Sequence, residues 1–334
     1  MLLCSVTVAA QEQAVKVDEL FDTTASDARE RLNAFAQRLA SQPGSSAVLF
    51  AQCPQSWPMG TCLRLVHGYG HYLVKSRGLA PTQIRVELAE TSAKFRVELW
   101  FVPRNSLAPD TVKTKVSPFS RLSDFDSVFF GPGCEAADQT LALDDPADVI
   151  RFFGTVLKEN PELKGLITVH PPHAENNQKA KAVFDDATNI LVKQHGISAD
   201  RLLTTFAGPR TCGELKVWVV TSSFSPPAGQ TADRYLRSRL MSEADGRYTV
   251  RFVVFDGNRY TRDNILRREL AVLREGEPFT VEALRRDLAN VSRLPIIHPI
   301  EIDDVDVSLN RADAIIDLTL FFRERPSARL KGRR

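Results

Sequence analysis

Two histidine pairs and five cysteines are the residues of this chain whose types and spacing could do chemistry. His67 and His71 stand four apart, a spacing that on a helix puts two imidazoles on one face and could hold a metal ion. No third donor lies near them, and Gly68 and Gly70 interrupt the stretch, so the plainer reading is a partly exposed helix face. His170 and His173 flank Pro171 and Pro172 in what reads as a loop, with no carboxylate or thiol at a spacing that completes a site. No G-x-S-x-G, P-loop, G-x-G-x-x-G or pair of catalytic carboxylates at a strand end is present, and His67-Gly68-Tyr69-Gly70 is not a phosphate loop. The sequence therefore points to no catalytic residue, no metal and no cofactor, and to a chain that is not an enzyme. A hydrolase whose residues converge only in three dimensions is the alternative it leaves open.

The cysteines bear on compartment. Met1 to Ala10 is apolar and ends Val8-Ala9-Ala10, which reads as the remnant of a signal peptide with a small-residue cleavage site, although it has no charged leading region. Cys4 leaves with that segment, and Cys53, Cys62, Cys134 and Cys212 remain. An even count in an exported chain favours disulfides, and a C-x8-C spacing with two distant thiols fits zinc poorly. Connectivity is not fixed by spacing. The pairing expected is Cys53 with Cys62, closing a short loop around Pro54 and Pro58, and Cys134 with Cys212, stapling two strand ends. The 43 basic and 41 acidic residues nearly cancel to +2, so no overall field draws the chain to nucleic acid. Apolar runs are broken by charge every few positions, which excludes a membrane-spanning helix. The basic tail from Arg325 has the charge to touch anionic headgroups as a peripheral contact, although such ends are more often solubilising.

The elements that must position any site come in a repeat. At an offset of 118 residues Phe35 falls on Phe153, Leu39 on Leu157, Pro43 on Pro161, Leu73 on Leu191, Gly78 on Gly196 and Trp100 on Trp218, without a gap. In the first copy Thr24 or Ser26 can cap a helix carrying Ala28, Leu32, Phe35 and Leu39, which Pro43-Gly44 ends. In the second, Asp145 is the cap and Pro146 takes the first helical position ahead of Val149, Phe152, Phe153, Val156 and Leu157. Short apolar runs follow, Ala47 to Ala51 and Leu166 to Val169. A second helix then ends at Gly78 or Gly196, and a last strand alternates through Val97, Leu99 and Phe101 or Leu215, Val217 and Val219.

The runs YLVKSRGLAPTQIRVELAE and ILVKQHGISADRLLTTFAG resemble the second helix and following strand of OmpA-like periplasmic modules. The resemblance implies a peptidoglycan ligand gripped by an Asp before that helix and an Arg within it. Here Leu65 and Val183 hold the arginine position, with Arg64 adjacent in the first copy, and Asn176 matches the family's asparagine. Arg64 and Asn176 are thus the peptidoglycan candidates, and a peptidoglycan-binding anchor is an alternative function.

From Tyr248 the pattern changes. Tyr248, Val250, Phe252 and Val254 alternate up to the turn Gly257-Asn258, and Thr261 is placed to cap a helix with Ile265, Leu266 and Leu270 inward, ended by Gly276. Thr280 caps another with Leu284, Leu288 and Val291, and strands follow at Ile300 to Leu309 and Ala314 to Arg323. The order is β-α-α-β-β, and the run FDGNRYTRDNILRRELAVLREGEPFTVEALRRDLANVSRL with the strand ADAIIDLTLFFRER resembles the POTRA domain of outer-membrane assembly factors, two-partner secretion pores and division proteins. That resemblance implies an extended polypeptide added to the edge of the second strand, with Ile300, Glu301, Ile302, Asp303, Asp304, Val305, Asp306 and Val307 as partner-binding residues. The acids among them bias such an edge toward basic partners or, more plainly, solvate it against aggregation.

The fold class expected is α+β: two tandem β-α-β-α-β(β) OmpA-like sandwich modules at 17–105 and 134–222, then a POTRA domain at 247–325. Residues 106–133 and 223–246 read as linkers, 1–10 as the signal remnant and 326–334 as the basic tail. No barrel is expected after Arg334. The function expected is that of a non-catalytic cell-envelope scaffold or chaperone-like adaptor, periplasmic or associated with the outer membrane, whose partner is a protein.

Overall fold

The structure, a computed structural model, describes residues 13–21, 23–54, 56–88, 92–107, 123–131, 134, 141–143, 145–172 and 177–325. It falls into two compact units, one within 1–120 and 136–148, the other within 121–135 and 149–334. Among the described residues there are three small sheets and seven α-helices, a mixed α+β architecture.

In the first unit the chain runs β1 (Val15–Phe21), α1 (Ala25–Ser41), β2 (Ser46–Gln52), α2 (Met59–Lys75), β3 (Ile84–Leu88) and β4 (Arg96–Val102), and the sheet order is β1-β4-β2-β3. Thr24 caps α1 by accepting the Asp27 N–H at 3.2 Å. Leu32, Phe35 and Leu39 from α1 meet Val66, Tyr69 and Leu73 from α2 over Leu49, Val97 and Leu99 of the sheet. Gly68, which interrupts the partly exposed face of His67 and His71, is buried, and a Cβ there would lie 1.7 Å from the Leu141 carbonyl oxygen. The glycine is what lets the 141–143 backbone lie against α2.

The second unit opens with β5 (Ser123–Phe130), α3 (Pro146–Glu159), β6 (Leu163–His170), α4 (Asn177–Asn189), β7 (Leu202–Phe206) and β8 (Gly213–Thr221), in the order β5-β8-β6-β7. The two sheets share one topology. Trp100 stands opposite Val48 and Trp218 opposite Leu166, the same strand position at the 118-residue offset. Both second helices close alike: Leu79 N–H reaches the Leu73 carbonyl and Ile197 N–H the Leu191 carbonyl, with Gly78 and Gly196 at φ +71° and +70° between. α4 reaches its glycine through a wider π-helical turn, Ile190–Gln194.

Two sequence expectations are corrected here. The stretch 106–133, expected as a linker, contains β5, the edge strand of the second sheet. Its equivalence to β1 was hidden because Val15 pairs with Phe101 and Ser123 with Val219, so this strand alone runs at an offset of 108 residues. The stretch 223–246, also expected as a linker, contains α5 (Ala232–Ala244).

The chain then continues β9 (Thr249–Asp256), α6 (Asp263–Glu269), α7 (Val281–Ser292), β10 (Val305–Asn310) and β11 (Ile315–Phe321), the β-α-α-β-β order. The sheet order is β10-β11-β9, with β11 antiparallel to β10 and parallel to β9. Thr280 caps α7 by accepting the Ala283 N–H at 3.1 Å. Thr261 does not cap α6: Arg262 stands at the N-cap and the Thr261 hydroxyl is buried. α6 also ends before Gly276, at Glu269, because the buried Asp287 on α7 captures the next amides, Ala271 at 3.0 Å, Val272 at 3.0 Å and Leu273 at 2.6 Å. One core joins Leu166, Trp218 and Val220 of the second sheet with Leu236, Leu240 and Met241 of α5 and Val305, Val307, Ile316 and Leu318 of the third.

Candidate functional site

The acidic segment expected as one strand from Ile300 to Leu309 divides into a turn and a strand. Asp304 folds its carboxylate back onto the Glu301 N–H at 2.9 Å, and Ile302–Asp304 form a 3-10 turn. Ile300 is buried, its N–H held by the Ser292 hydroxyl at 2.9 Å. The strand begins only at Val305. Val305 and Val307 point into the core, and Asp306 points from the opposite face.

β10 is an edge strand, since among the described residues it pairs with β11 alone. What flanks its outer side is a helix. α5 packs along β10 and is tied at its middle and its C-terminal end: Arg237 Nη1 donates to the Asp303 carbonyl at 2.6 Å, and Arg311 grips Glu243 through two hydrogen bonds, 2.6 and 2.9 Å. Arg234 adds an ion pair to Asp303 at 3.1 Å. A shallow groove of about 220 Å³ runs beside the helix, lined among others by Arg237, Met241, Val281, Arg285, Ile302 and Asp303. Ser308, farther along the strand, is exposed.

Asp306 is not a solvated edge charge. It lies 3.1 Å from Lys216 Nζ and 3.5 Å from Arg210 Nη2, and Arg210 also pairs with Glu214. Lys216 reaches Asp124 at 3.8 Å. Arg210 stacks over Phe321 at 4.2 Å and Lys216 over Trp218 at 4.9 Å, so apolar rings wall the cluster. Burial works against the Asp306 carboxylate, but the charges of Lys216 and Arg210 outweigh it and hold its pKa well below the usual range. Asp124 fares oppositely. Burial pushes its pKa up to about 6 despite Lys216, with Asp306 and Asp126 adding like charge, and its Oδ1 is buried without a protein partner. Lys216 and Arg210 are thus matched by Asp306 and Glu214, and Asp124, beside the like charge of Asp126, is a carboxylate in excess.

The remaining candidates are distributed as follows. Arg64 is buried in α2 and donates to the Leu143 carbonyl at 3.3 Å, so it is not presented at a surface as a peptidoglycan grip. Asn176 and His173 lie outside the described residues, as do Cys4 and the segments 1–10 and 326–334. Burial lowers the His67 pKa, while His170 ends β6 rather than sitting in a loop, its Nδ1 2.9 Å from the Gly208 carbonyl oxygen. Burial and the charge of Arg210 push His170 down to about 3. Among the described residues no group of three or more His, Cys, Asp or Glu is placed to hold a metal ion, and no helix is long and apolar enough to cross a membrane.

Cys53 is joined to Cys62 and Cys134 to Cys212, with Cα–Cα distances of 6.0 and 5.7 Å. Two disulfides fit an oxidising compartment. Arg210, Lys216, Asp124 and Asp287 were all missed from sequence. Lys216 alone carried a signal, a charge inside the otherwise apolar run Leu215 to Val220.

The β-α-α-β-β order, the β10-β11-β9 sheet and the edge position of β10 coincide with a family match. Residues 248–325 match the family model described as "POTRA: Surface antigen variable number repeat", and this C-terminal part of the chain is a POTRA domain.

Proposed function

We propose that the chain is a non-catalytic adaptor of the bacterial-type cell envelope, in the periplasm or against the outer membrane, that binds extended polypeptide along β10. The observation that carries this reading is an edge strand of a POTRA sheet with no strand on its outer side among the described residues. Backbone pairing supplies affinity there without a fixed sequence. Ser308 is the accessible end, and pairing farther back toward Val305 and Val307 requires α5 to withdraw, which breaks the Arg237–Asp303 and Arg311–Glu243 ties. Of the acids, Asp303 and Asp306 serve internal pairs and Asp304 holds its own turn, leaving Glu301 to colour the entrance. The two preceding modules, whose shared strand order supports the OmpA-like reading, carry the POTRA domain as a scaffold.

A photoreactive residue at Ser308 of the full chain, expressed in its envelope, tests the proposal. Crosslinks to polypeptide at Ser308 are expected, increased in Arg311→Ala, which loosens α5. A Ser308 probe that captures nothing in either background, while probes on the first unit do, would refute it.

A further inference from the structure

The POTRA sheet has a second edge, β9, and its outer backbone groups are occupied in another way. Near the start of β9, Val250 N–H donates to the Glu277 carbonyl at 2.9 Å and its own carbonyl accepts the Gly276 N–H at 2.7 Å. The chain's own backbone closes that end. At Val253 side chains stand where a neighbouring strand would pair: Glu275 Oε1 accepts the Val253 N–H at 3.2 Å, and Arg267 Nη2 donates to the Val253 carbonyl at 3.1 Å. Arg267 and Glu275 close on one another at 3.1 Å, with their side chains 47% and 43% exposed.

This clasp borders a groove of about 520 Å³, lined by Val253, Leu270 and Leu273, by Arg267, Arg268 and Arg274, and by a single carboxylate, Glu275. The groove is thus a ladder position with an apolar floor and three cations against one anion. Phe252 and Val254, 53% and 51% exposed, alternate with the inward Val253 and stand on the other face of the strand. The ladder groups belong to a buried residue but are part-buried themselves, and they pair with side chains rather than with backbone. They are held by an exposed ion pair, an arrangement that exchanges at little cost.

We infer that β9 at Val253 is a second docking edge, taking one extended segment of an acidic polypeptide. The partner's backbone takes over the Val253 N–H and carbonyl, and its carboxylate replaces that of Glu275 on Arg267, with Arg268 and Arg274 completing the charge match. This site is separate from β10 and does not rest on binding there.

Fluorescence anisotropy of the full chain tests it, with two labelled heptapeptides, one alternating valine and aspartate and the other valine and lysine. The aspartate peptide should bind roughly tenfold or more tighter than the lysine peptide, and weaken with salt. Glu275→Ala, which removes the resident competitor, should tighten the aspartate peptide about two- to fivefold, the range an exposed ion pair commands. Arg274→Glu, at an exposed loop position, should weaken it, and Arg267→Glu with Arg274→Glu should abolish it while circular dichroism stays unchanged. Equal affinity for the two peptides, no binding to the Glu275→Ala protein at millimolar peptide, or indifference to both arginine reversals would overturn the inference.

Discussion

Replacing Asp124 with asparagine should stabilise the protein at neutral pH and leave it nearly unchanged in acid. Burial, opposed by Lys216 and reinforced by the like charges of Asp306 and Asp126, raises the Asp124 pKa from 3.8 to about 6. Between those values the folded chain holds a proton that the unfolded chain has released, so the Asp124 contribution to stability is complete below about pH 4 and is lost as pH rises through about 6. Each pKa unit corresponds to about 1.4 kcal/mol, which puts the full loss near 3 kcal/mol. The side chain retains 22% of its exposure, and solvent reduces the figure to about 2 kcal/mol. The attraction of Lys216 is already included in the shift, and in the variant Lys216 keeps Asp306 at 3.1 Å. Urea unfolding at pH 4, 5, 6, 7 and 8, followed by circular dichroism, gives the variant-minus-wild-type difference directly. It should be near zero at pH 4 and rise to about 2 kcal/mol in favour of the variant by pH 8. A difference flat across that range, or a variant less stable at pH 8, would refute the placement of an unneutralised carboxylate in the cluster.

Asp306→Asn leaves Lys216 and Arg210 buried with too little counter-charge and should cost about 3–5 kcal/mol in the same urea experiment, whereas Glu301→Lys, on the exposed turn, should change stability by about 0.5 kcal/mol or less. Asp287→Ala frees three amides of the 271–273 turn and should cost about 3 kcal/mol, with faster amide exchange in that turn. Loop closure over 78 residues exceeds that over 9, so losing Cys134–Cys212 should destabilise by about 4.5 kcal/mol against about 2.5 kcal/mol for Cys53–Cys62, compared by alanine pairs in thermal unfolding.

Local chemistry was legible in the sequence and long-range chemistry was not. Thr24 and Thr280 act as caps, the repeated glycines sit at φ near +70°, and the 118-residue register carries Trp100 onto Trp218, because each depends on neighbours within a few residues or on a preserved spacing. β5 escaped because the ten-residue change in spacing before α3 breaks that register. Asp306 reads as one more acid in a polar run, since Lys216 and Arg210, which bury it, lie some ninety residues earlier in the chain. Its reversal to lysine, harmless for a surface acid, is therefore expected to disrupt the fold. Thr261 is an N-cap residue type one position too early, and the buried Asp287 carboxylate ends α6 before the glycine that should have done so.

The central claim, that extended polypeptide pairs with β10, is tested most directly by amide hydrogen exchange of the full chain with and without a saturating heptapeptide of alternating valine and serine. Pairing predicts slower exchange within Val305–Asn310 together with faster exchange in α5, as the helix gives up the edge. Bound peptide with unchanged exchange in both segments, whether protection appears at β9 or nowhere in the sheet, would contradict it.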